Sequence, residues 1–269
     1  MTRLLDKIAV VTGAASGIGL AVVKLFAAEG AQVMALDRDA AALAEVFPSP
    51  AGAAAGAAAG ALAGQIIPVV ADVTEEAQLM AAMARAGDEL GGIDILVPNA
   101  GIFGQHAHVW ECDLDAFDGV MRVNVTGVVA TIKWAVPQMI RRGGGSIVIT
   151  SSVGAVVGNP GSVAYAASKH ALTAVMKVAA VELAPHKIRV NTVNPGLVDT
   201  PMIRAIERDL SPDDPGKGRA ALQEATLLKR YVDPGEVAEL MLFLASDTGS
   251  FCTGGMYMID GGMQYCLQR

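Results

Sequence analysis

The feature that most constrains the fold is an alternation of short apolar runs with segments long enough to be helices. Seven runs have the composition of buried strands: IAVV, VMAL, IIPVV, IDILV, SIVIT, IRVNTV and MYMI. Helix-length segments lie between most of them, at 17–29, 74–90, 117–141 and 165–183. This alternation predicts right-handed βαβ crossovers. The expected structure is therefore a doubly wound, Rossmann-like α/β fold: one domain with a seven-stranded parallel sheet and helices on both faces.

Composition limits the partners. The chain is 52% apolar and 17% charged, with a net charge of −7, so it lacks the positive field that nucleic acid or anionic lipid would require. Small molecules are the expected partners. The three cysteines, Cys112, Cys252 and Cys266, are widely spaced and form no CxxC pair, which argues against a disulfide framework and favours a reducing, cytoplasmic location.

One uncharged stretch, 46–71, is long enough to cross a bilayer. Alanine and glycine contribute little transfer free energy, however, and Gln65 and three prolines interrupt the stretch. Its low-complexity part, 48–64, is interpreted as a surface insertion after the second strand. No membrane partner is predicted.

A glycine-rich loop follows the first strand directly and reads TGAASGIG from Thr12 to Gly19. Its glycine intervals are the reverse of those in GxGxxG. The context still fits phosphate binding, because glycine permits close approach of a pyrophosphate and the helix start offers free N–H groups. A glycine turn without a cofactor is a fair alternative for the loop alone. Asp37, at the end of the second strand, can accept both hydroxyls of an adenosine ribose, and the pair together predicts a dinucleotide site.

Tyr165 and Lys169 are four residues apart in a helical segment, so their side chains share one face. A lysine cation about 4 Å away would bring the phenol pKa from about 10 towards neutrality, which suits a general acid/base. Ser152 ends a strand thirteen residues earlier, where its hydroxyl could hold a carbonyl or alcohol oxygen. Each residue taken alone also has an ordinary structural explanation, as does Asn124 in a helix.

Several motifs together resemble the short-chain dehydrogenase/reductase family. The glycine loop matches the family's TGxxxGxG pattern, and it is followed by PNAG at 98–101, Ser151-Ser152 with YAASK at 165–169, NPGLVDTPM at 194–202, and the closing LASDTGSFCTGG and IDGG. The resemblance runs from about Asp6 to Gly262. The sequence departs from the family pattern at Pro98, where a second asparagine is common, and at the Ala/Gly insertion.

The resemblance implies roles for individual residues. Ser152, Tyr165 and Lys169 would be catalytic, Lys169 would also bind the nicotinamide ribose, and Asn124 would hold a water in a proton relay to the lysine. The implied cofactor site consists of Gly13, Ser16, Gly17, Ile18, Gly19, Asp37, Asp72, Val73, Asn99, Ala100, Gly101, Tyr165, Lys169, Pro195, Gly196, Val198 and Thr200. Family members are commonly homotetramers, with the helices around Asn124 and Tyr165 packing between subunits.

The sequence therefore predicts an NAD(H)-dependent oxidoreductase that interconverts a secondary alcohol and a ketone. Asp37 favours NAD, whereas the neighbouring Arg38 could pair with a 2′-phosphate. Two alternatives stay open: an NADPH-dependent ketoreductase of the 3-oxoacyl type, and a nucleotide-sensing protein without turnover.

Two further predictions concern the substrate end and metals. The segment 201–228 follows the nicotinamide-binding turn and is expected to form a lid over a hydrophobic, cyclic substrate. His106, His108 and Cys112 are side chains of zinc-ligating type, but no second cluster completes the set, so no metal site is predicted.

Overall fold

A computed structural model describes residues 2–48 and 65–266 of the protein. The predicted insertion at 48–64 lies outside the described residues except for Pro48. All seven predicted strands form, and they make one parallel sheet in the order β3-β2-β1-β4-β5-β6-β7. The strands are β1 Ile8–Thr12, β2 Gln32–Asp37, β3 Ile66–Val70, β4 Ile95–Val97, β5 Gly145–Thr150, β6 Ile188–Pro195 and β7 Met256–Ile259.

The helices alternate with these strands, as the sequence predicts. They are α1 Gly17–Ala28, α2 Ala40–Val46, α3 Glu76–Arg85, α4 Leu114–Met121, α5 Gly127–Arg142, α6 Val163–Leu183, α7 Pro201–Leu210, α8 Pro215–Glu224, α9 Pro234–Ala245 and the short α10 Met263–Cys266. Two apolar clusters pack on the sheet, one involving α3, α5 and α6 and the other α1 and α9. The fold is therefore a doubly wound, Rossmann-like single domain.

Strand β1 lies at the centre of the site, because it pairs with β2 on one side and with β4 on the other. From β1 the chain builds the sheet in one direction through β2 and β3, and then returns to build it in the other direction from β4 onwards. In a parallel sheet this switch point opens a crevice beyond the carboxyl ends of the strands, where ligands bind.

One predicted helix is interrupted. The segment expected to be continuous over 117–141 consists of α4 and α5 joined by a π-helical turn, Arg122–Thr126. A π turn adds a residue to the helical cycle and is frequent at functional sites. Here it contains the buried Asn124, so a local departure from α-helical geometry sets the orientation of a predicted site residue.

None of the helices in the described part of the chain is both long enough and apolar enough to span a bilayer.

Candidate active site

A cleft of about 520 Å³ opens at the carboxyl ends of the strands. Most of the predicted site residues line it: Gly13, Ser16, Gly17, Ile18, Asp37, Asp72, Val73, Asn99, Ala100, Gly101, Ser152, Tyr165, Lys169, Pro195, Gly196, Val198 and Thr200. Gly19 and Asn124 are not among its lining residues. The structure thus brings residues from almost the whole length of the chain to one surface.

The glycine loop at the start of α1 has the geometry of an anion cradle. Gly13 and Gly17 have φ of +64° and +52°, a region that favours glycine. A Cβ on Gly13 would lie 2.9 Å from the Cα of Ala100. Ser16 is the N-cap of α1, and its side chain forms no capping hydrogen bond. The first N–H groups of the helix are left for an anionic ligand such as a pyrophosphate.

Gly19 lies beneath the glycine loop, outside the lining of the cleft. A Cβ there would collide with the carbonyl oxygen of Gly13 and lie 2.6 Å from Nδ2 of Asn99. The absence of a side chain at this position lets α1 pack closely under the loop. Asn99 joins the same contact, because its Nδ2 donates to the carbonyl oxygens of Thr12 (3.0 Å) and Gly13 (3.2 Å).

Asp37, the last residue of β2, is held by two main-chain hydrogen bonds at one end of the cleft. Its Oδ2 accepts the N–H of Ala15 at 3.0 Å and its Oδ1 accepts the N–H of Asp39 at 3.1 Å. Arg38 is 66% exposed, and its Nη1 lies 3.9 Å from Oδ2 of Asp72. The N–H of Thr74 is the main cause that holds the pKa of Asp72 below its usual range. We call this region, defined by Asp37, Arg38 and Asp72, the ribose end.

The opposite region contains Ser152, Tyr165 and Lys169, and we call it the catalytic end. Nζ of Lys169 lies 5.5 Å from the ring centroid of Tyr165 and donates to the carbonyl oxygen of Thr150 at 3.0 Å. A Cβ on Gly154 would be 3.5 Å from both Oγ of Ser152 and Cε1 of Tyr165, so these two side chains flank the same glycine. The hydroxyls of a serine and a tyrosine and an ammonium group therefore meet at one wall.

Protonation at the catalytic end differs from the sequence-based expectation. Burial raises the pKa of the Tyr165 phenol, and the hydrogen bond with Ser152 opposes that rise. Burial also lowers the pKa of Lys169 to about 8. The expected shift of the phenol towards neutrality considered only the lysine charge and left out desolvation, which disfavours charge on both groups. Burial thus opposes ionisation of the Tyr165 phenol, which favours its action as a proton donor.

Asn124 is fully buried beside the catalytic end. Its Oδ1 accepts the N–H of Ile102 at 2.9 Å, and its Nδ2 donates to the carbonyl oxygen of Ile102 (2.9 Å) and to Oγ of Ser168 (3.0 Å). A Cβ on Gly101 would lie 3.3 Å from Oδ1 of Asn124 and 3.6 Å from Nζ of Lys169. The amide therefore fixes the backbone that separates it from the lysine.

The turn 195–200, which begins at the last residue of β6, faces the glycine loop. A Cβ on Gly196 would lie 2.9 Å from the Cα of Asp260, and one on Gly17 would lie 3.0 Å from Cγ2 of Thr200. Oγ1 of Thr200 donates to the carbonyl oxygen of Val198 at 3.3 Å and accepts the N–H of Ile203 at 3.5 Å. Thr200 thus starts α7 while its methyl group contacts the loop. We call 195–200 the nicotinamide turn, after its predicted ligand.

Apolar side chains dominate the cleft beyond the nicotinamide turn. They come from the loop after β5, from the turn itself, from α7, from α8 and the residue after it, and from α10: Val153, Leu197, Met202, Ile203, Ile206, Leu210, Leu222, Ala225 and Met263. The ring of Phe103 lies 5.0 Å from that of Tyr165 and continues this wall. His106 and Asn159 add polar groups.

The three residues considered as metal ligands, His106, His108 and Cys112, each make contacts with different groups. The ring of His106 lies against Gly161, where a Cβ would be 2.5 Å from Nε2. His108 stacks on Trp110 with ring centroids 4.5 Å apart, and Sγ of Cys112 donates to the carbonyl oxygen of Asp113 at 3.7 Å. Within 2–48 and 65–266, no group of three or more His, Cys, Asp or Glu residues is arranged to hold a metal ion.

Sequence reasoning missed several supporting residues. Oγ1 of Thr12 accepts the N–H groups of Asn99 (2.9 Å) and Ala100 (3.0 Å), and Thr150 donates its hydroxyl to Oδ1 of Asn99 at 3.0 Å. Phe103 and Ser168 contact Tyr165 and Asn124. Thr12 and Thr150 end strands at the sheet edge where ligands bind, and that position was the available signal.

Comparisons with known proteins agree with this geometry. A family model described as enoyl-(acyl carrier protein) reductase matches residues 13–264. Oxidoreductase UcpA of Salmonella typhimurium is 41% identical over 267 residues, covering 97% of this chain and 96% of that protein. The 3-oxoacyl-[acyl-carrier-protein] reductase FabG of Thermotoga maritima is 40% identical over 261 residues, with coverage of 97% and 99%.

A solved structure is similar throughout. Carveol dehydrogenase from Mycobacterium avium in complex with NAD has a TM-score of 0.89 and 31% identity, covering 98% of this chain and 100% of that one. The motifs, the sheet order and these relatives lead to the same conclusion. The chain belongs to the short-chain dehydrogenase/reductase family, whose members are oxidoreductases that bind a nicotinamide cofactor.

Proposed function

We propose that the protein is an NAD(H)-dependent oxidoreductase that interconverts a secondary alcohol and a ketone. The observation that carries the proposal is the convergence of Ser152, Tyr165 and Lys169 on one end of a cleft that has Asp37 at the other end. One end has the groups needed for proton transfer to oxygen, and the other has a carboxylate suited to a ribose.

The side chains divide the proton chemistry between them. In ketone reduction, the Tyr165 hydroxyl gives its proton to the carbonyl oxygen, and Ser152 donates a hydrogen bond to the same oxygen. The ammonium group of Lys169 stabilises the resulting phenolate. In alcohol oxidation, the same groups act in reverse. A nicotinamide cofactor, when bound, supplies or accepts the hydride. Lys169 then passes a proton to the Tyr165 phenolate, and Asn124 is proposed to hold a water that returns a proton to Lys169.

The residues present fit such a cofactor. The cradle of Gly13 and Gly17 and the uncapped start of α1 would take the pyrophosphate. Asp72 and Val73 would meet the adenine. Lys169 would bind the nicotinamide ribose, and Val198 and Thr200 would bind the carboxamide.

NAD is proposed over NADP because of how Asp37 is fixed. Two backbone N–H groups hold its carboxylate and leave its remaining lone pairs for ribose hydroxyls. A 2′-phosphate there would meet a like charge that cannot turn away. Arg38 could pair with that phosphate, but its guanidinium faces Asp72. The complex of carveol dehydrogenase with NAD supports the same choice.

The substrate is proposed to be hydrophobic and cyclic, with 201–228 as its lid. Helices α7 and α8 present Ile203, Ile206 and Leu222 to the cleft. Charged residues that line the cleft are Asp37, Arg38, Asp72 and Lys169, and the first three belong to the ribose end. The apolar wall therefore favours an uncharged substrate.

A 3-oxoacyl-type ketoreductase that uses NADPH is the second candidate. It is favoured by the similarity to FabG of Thermotoga maritima and by the exposed Arg38 beside Asp37. A sensor without turnover is disfavoured, because Tyr165 and Lys169 both lie in the cleft.

A homotetramer in the cytoplasm is the proposed form of the protein. The outer face of α6 exposes Val178 and Val181, at 56% and 76% of their surface. Burial of these side chains between subunits would remove apolar surface from water. Size-exclusion chromatography with light scattering tests the assembly, and a monomeric mass would contradict it.

A screen of secondary alcohols and ketones with both cofactors, followed by the near-ultraviolet absorbance of the reduced nicotinamide, tests the function. The expected result is turnover with apolar cyclic compounds and NAD(H). A clear preference for small polyols or charged sugars would contradict the substrate class. Turnover of 3-oxoacyl thioesters with NADPH would favour the second candidate.

A further inference from the structure

Asp199 lies in the nicotinamide turn, between the two residues proposed to bind the carboxamide, Val198 and Thr200. Its carboxylate is bound by two arginines from the helices that follow. Oδ1 accepts from Nη2 of Arg204 on α7 at 3.2 Å, and Oδ2 accepts from Nη2 of Arg219 on α8 at 3.0 Å. The turn is therefore tied to α8 by an ion pair that spans twenty residues of sequence.

Arg219 makes two more contacts besides this ion pair. Its Nη1 lies 3.4 Å from Oε1 of Glu207 on α7, and its guanidinium carbon lies 4.4 Å from the ring centroid of Tyr231. Glu207 and Tyr231 are each only 6% exposed. A buried carboxylate requires a partner, and Arg219 is the cation that Glu207 has in the described structure.

The backbone around these side chains is joined in the same way. The N–H of Val232 donates to the carbonyl oxygen of Leu197 at 2.9 Å, and the N–H of Asp199 donates to that of Val232 at 3.1 Å. Gly218 allows α8 to approach the backbone of Glu207, since a Cβ there would collide with the Glu207 carbonyl oxygen. Helices α7 and α8 thus pack as one unit, and Arg219 connects that unit to the turn.

We infer that Arg219 is a positioning residue for the nicotinamide half of the cofactor, acting through Asp199 on the nicotinamide turn. This inference rests on the proposed function, because it assumes that the turn binds the carboxamide. Without Arg219, the buried Glu207 has lost its cation, and the turn has lost its tie to α8. The turn should then hold the nicotinamide less well, while the ribose end stays as it is.

Binding of two ligands to the same protein separates these ends. ADP-ribose has the adenosine, pyrophosphate and second ribose of NADH but lacks the nicotinamide. In Arg219→Gln, the dissociation constant for NADH should rise by about 5- to 50-fold, a range typical of coupling between sites. That for ADP-ribose should change by less than about twofold. Isothermal titration calorimetry measures both constants, and no substrate is needed.

Matched variants sharpen the test. Arg208→Gln removes an exposed arginine from the same pair of helices and should leave both constants unchanged. Asp199→Asn removes the other half of the ion pair with a near-isosteric side chain and should reproduce the selective loss of NADH affinity. Arg219→Lys keeps the charge without the planar fork and should fall between the unmodified protein and Arg219→Gln.

Several outcomes would overturn the inference. One is unchanged NADH binding in both Arg219→Gln and Asp199→Asn, and another is a parallel loss of NADH and ADP-ribose, which would indicate general damage to the fold. In both cases NADH binding by the unmodified protein would leave the proposed function standing. If the unmodified protein bound no NADH, the proposed function and the inference would fail together.

Discussion

The two ends of the cleft control charge by opposite means. At the catalytic end, Lys169 is 4% exposed and donates to a main-chain carbonyl, so desolvation dominates the pKa values of the lysine and of Tyr165. At the ribose end, Arg38 is largely exposed and Asp37 is held by main-chain N–H groups. Burial thus governs charge at the catalytic end, whereas main-chain hydrogen bonds fix the position of a carboxylate at the ribose end.

Substitutions at the two ends should therefore change different measured properties. A change at the catalytic end should alter turnover and the pH dependence of stability. A change at the ribose end should alter the ratio of cofactors. A single substitution that changed both turnover and the cofactor ratio by similar factors would show that the two ends are not independent.

The largest effect is expected from Tyr165→Phe, which removes the transferable proton and keeps the ring. Turnover in ketone reduction should fall by about 10²- to 10⁴-fold, the usual contribution of a general acid/base. NADH binding should be largely kept, because Asp37 and the glycine loop are untouched. Steady-state kinetics measure turnover, and a binding titration on the same preparation measures NADH affinity. Tyr265→Phe, at an exposed tyrosine on α10, is the control. Near-normal turnover in Tyr165→Phe would reject the mechanism.

The second effect concerns the stability of the folded protein and Lys169. The folded-state pKa is lowered from 10.5 to about 8, a difference equivalent to about 3 kcal/mol. Between those pH values the unfolded chain holds a proton that the folded protein has lost, so stability rises with pH across this window. Below pH 8 the burial penalty applies in full.

Lys169→Met removes this titration. The unfolding free energy of the unmodified protein, relative to that of the variant, should therefore increase by about 3 kcal/mol between pH 7 and pH 10.5. Denaturant titrations of both proteins at several pH values measure the difference. A flat difference would show that Lys169 titrates normally and that burial does not control the catalytic end.

A smaller effect is expected from Asp37→Ala, which removes the fixed carboxylate from the ribose end. The preference for NAD over NADP should narrow by about tenfold or more, since NAD loses an acceptor and the repulsion of a 2′-phosphate is relieved. Turnover at saturating cofactor should change little. The ratio of kcat/KM values with the two cofactors gives the result. Asp39→Ala changes a neighbouring carboxylate that caps α2 and should leave the ratio unchanged.

Local patterns in the sequence predicted the sheet and the cleft at its edge, whereas most of the lining residues were implied by the family resemblance. Strand runs and the spacing of Tyr165 and Lys169 need no knowledge of distant contacts. The π turn around Asn124 was not predictable from helical periodicity, because hydrogen bonds to Ile102 and Ser168 accompany it. The packing position of Gly19 depends likewise on Gly13 and Asn99 in three dimensions.

The pKa of Tyr165 and the ion pair between Arg219 and Asp199 also could not be predicted from residue spacing, for a different reason. The pKa of Tyr165 depends on how deeply the side chain is buried, which a pairwise charge argument leaves out. The link between Arg219 and Asp199 joins residues that sequence patterns treat as ordinary surface charges. In both cases the missing information was the surrounding structure rather than the identity of the residues.

The most direct test of the account is the ratio of kcat/KM with NADH to that with NADPH, measured on the unmodified protein with one apolar cyclic ketone at neutral pH. In the proposed function, the fixed carboxylate of Asp37 determines the choice of cofactor. NADH should therefore be favoured by on the order of 10²-fold or more. An equal or higher kcat/KM with NADPH would contradict it and would show that Arg38 sets the choice at the ribose end.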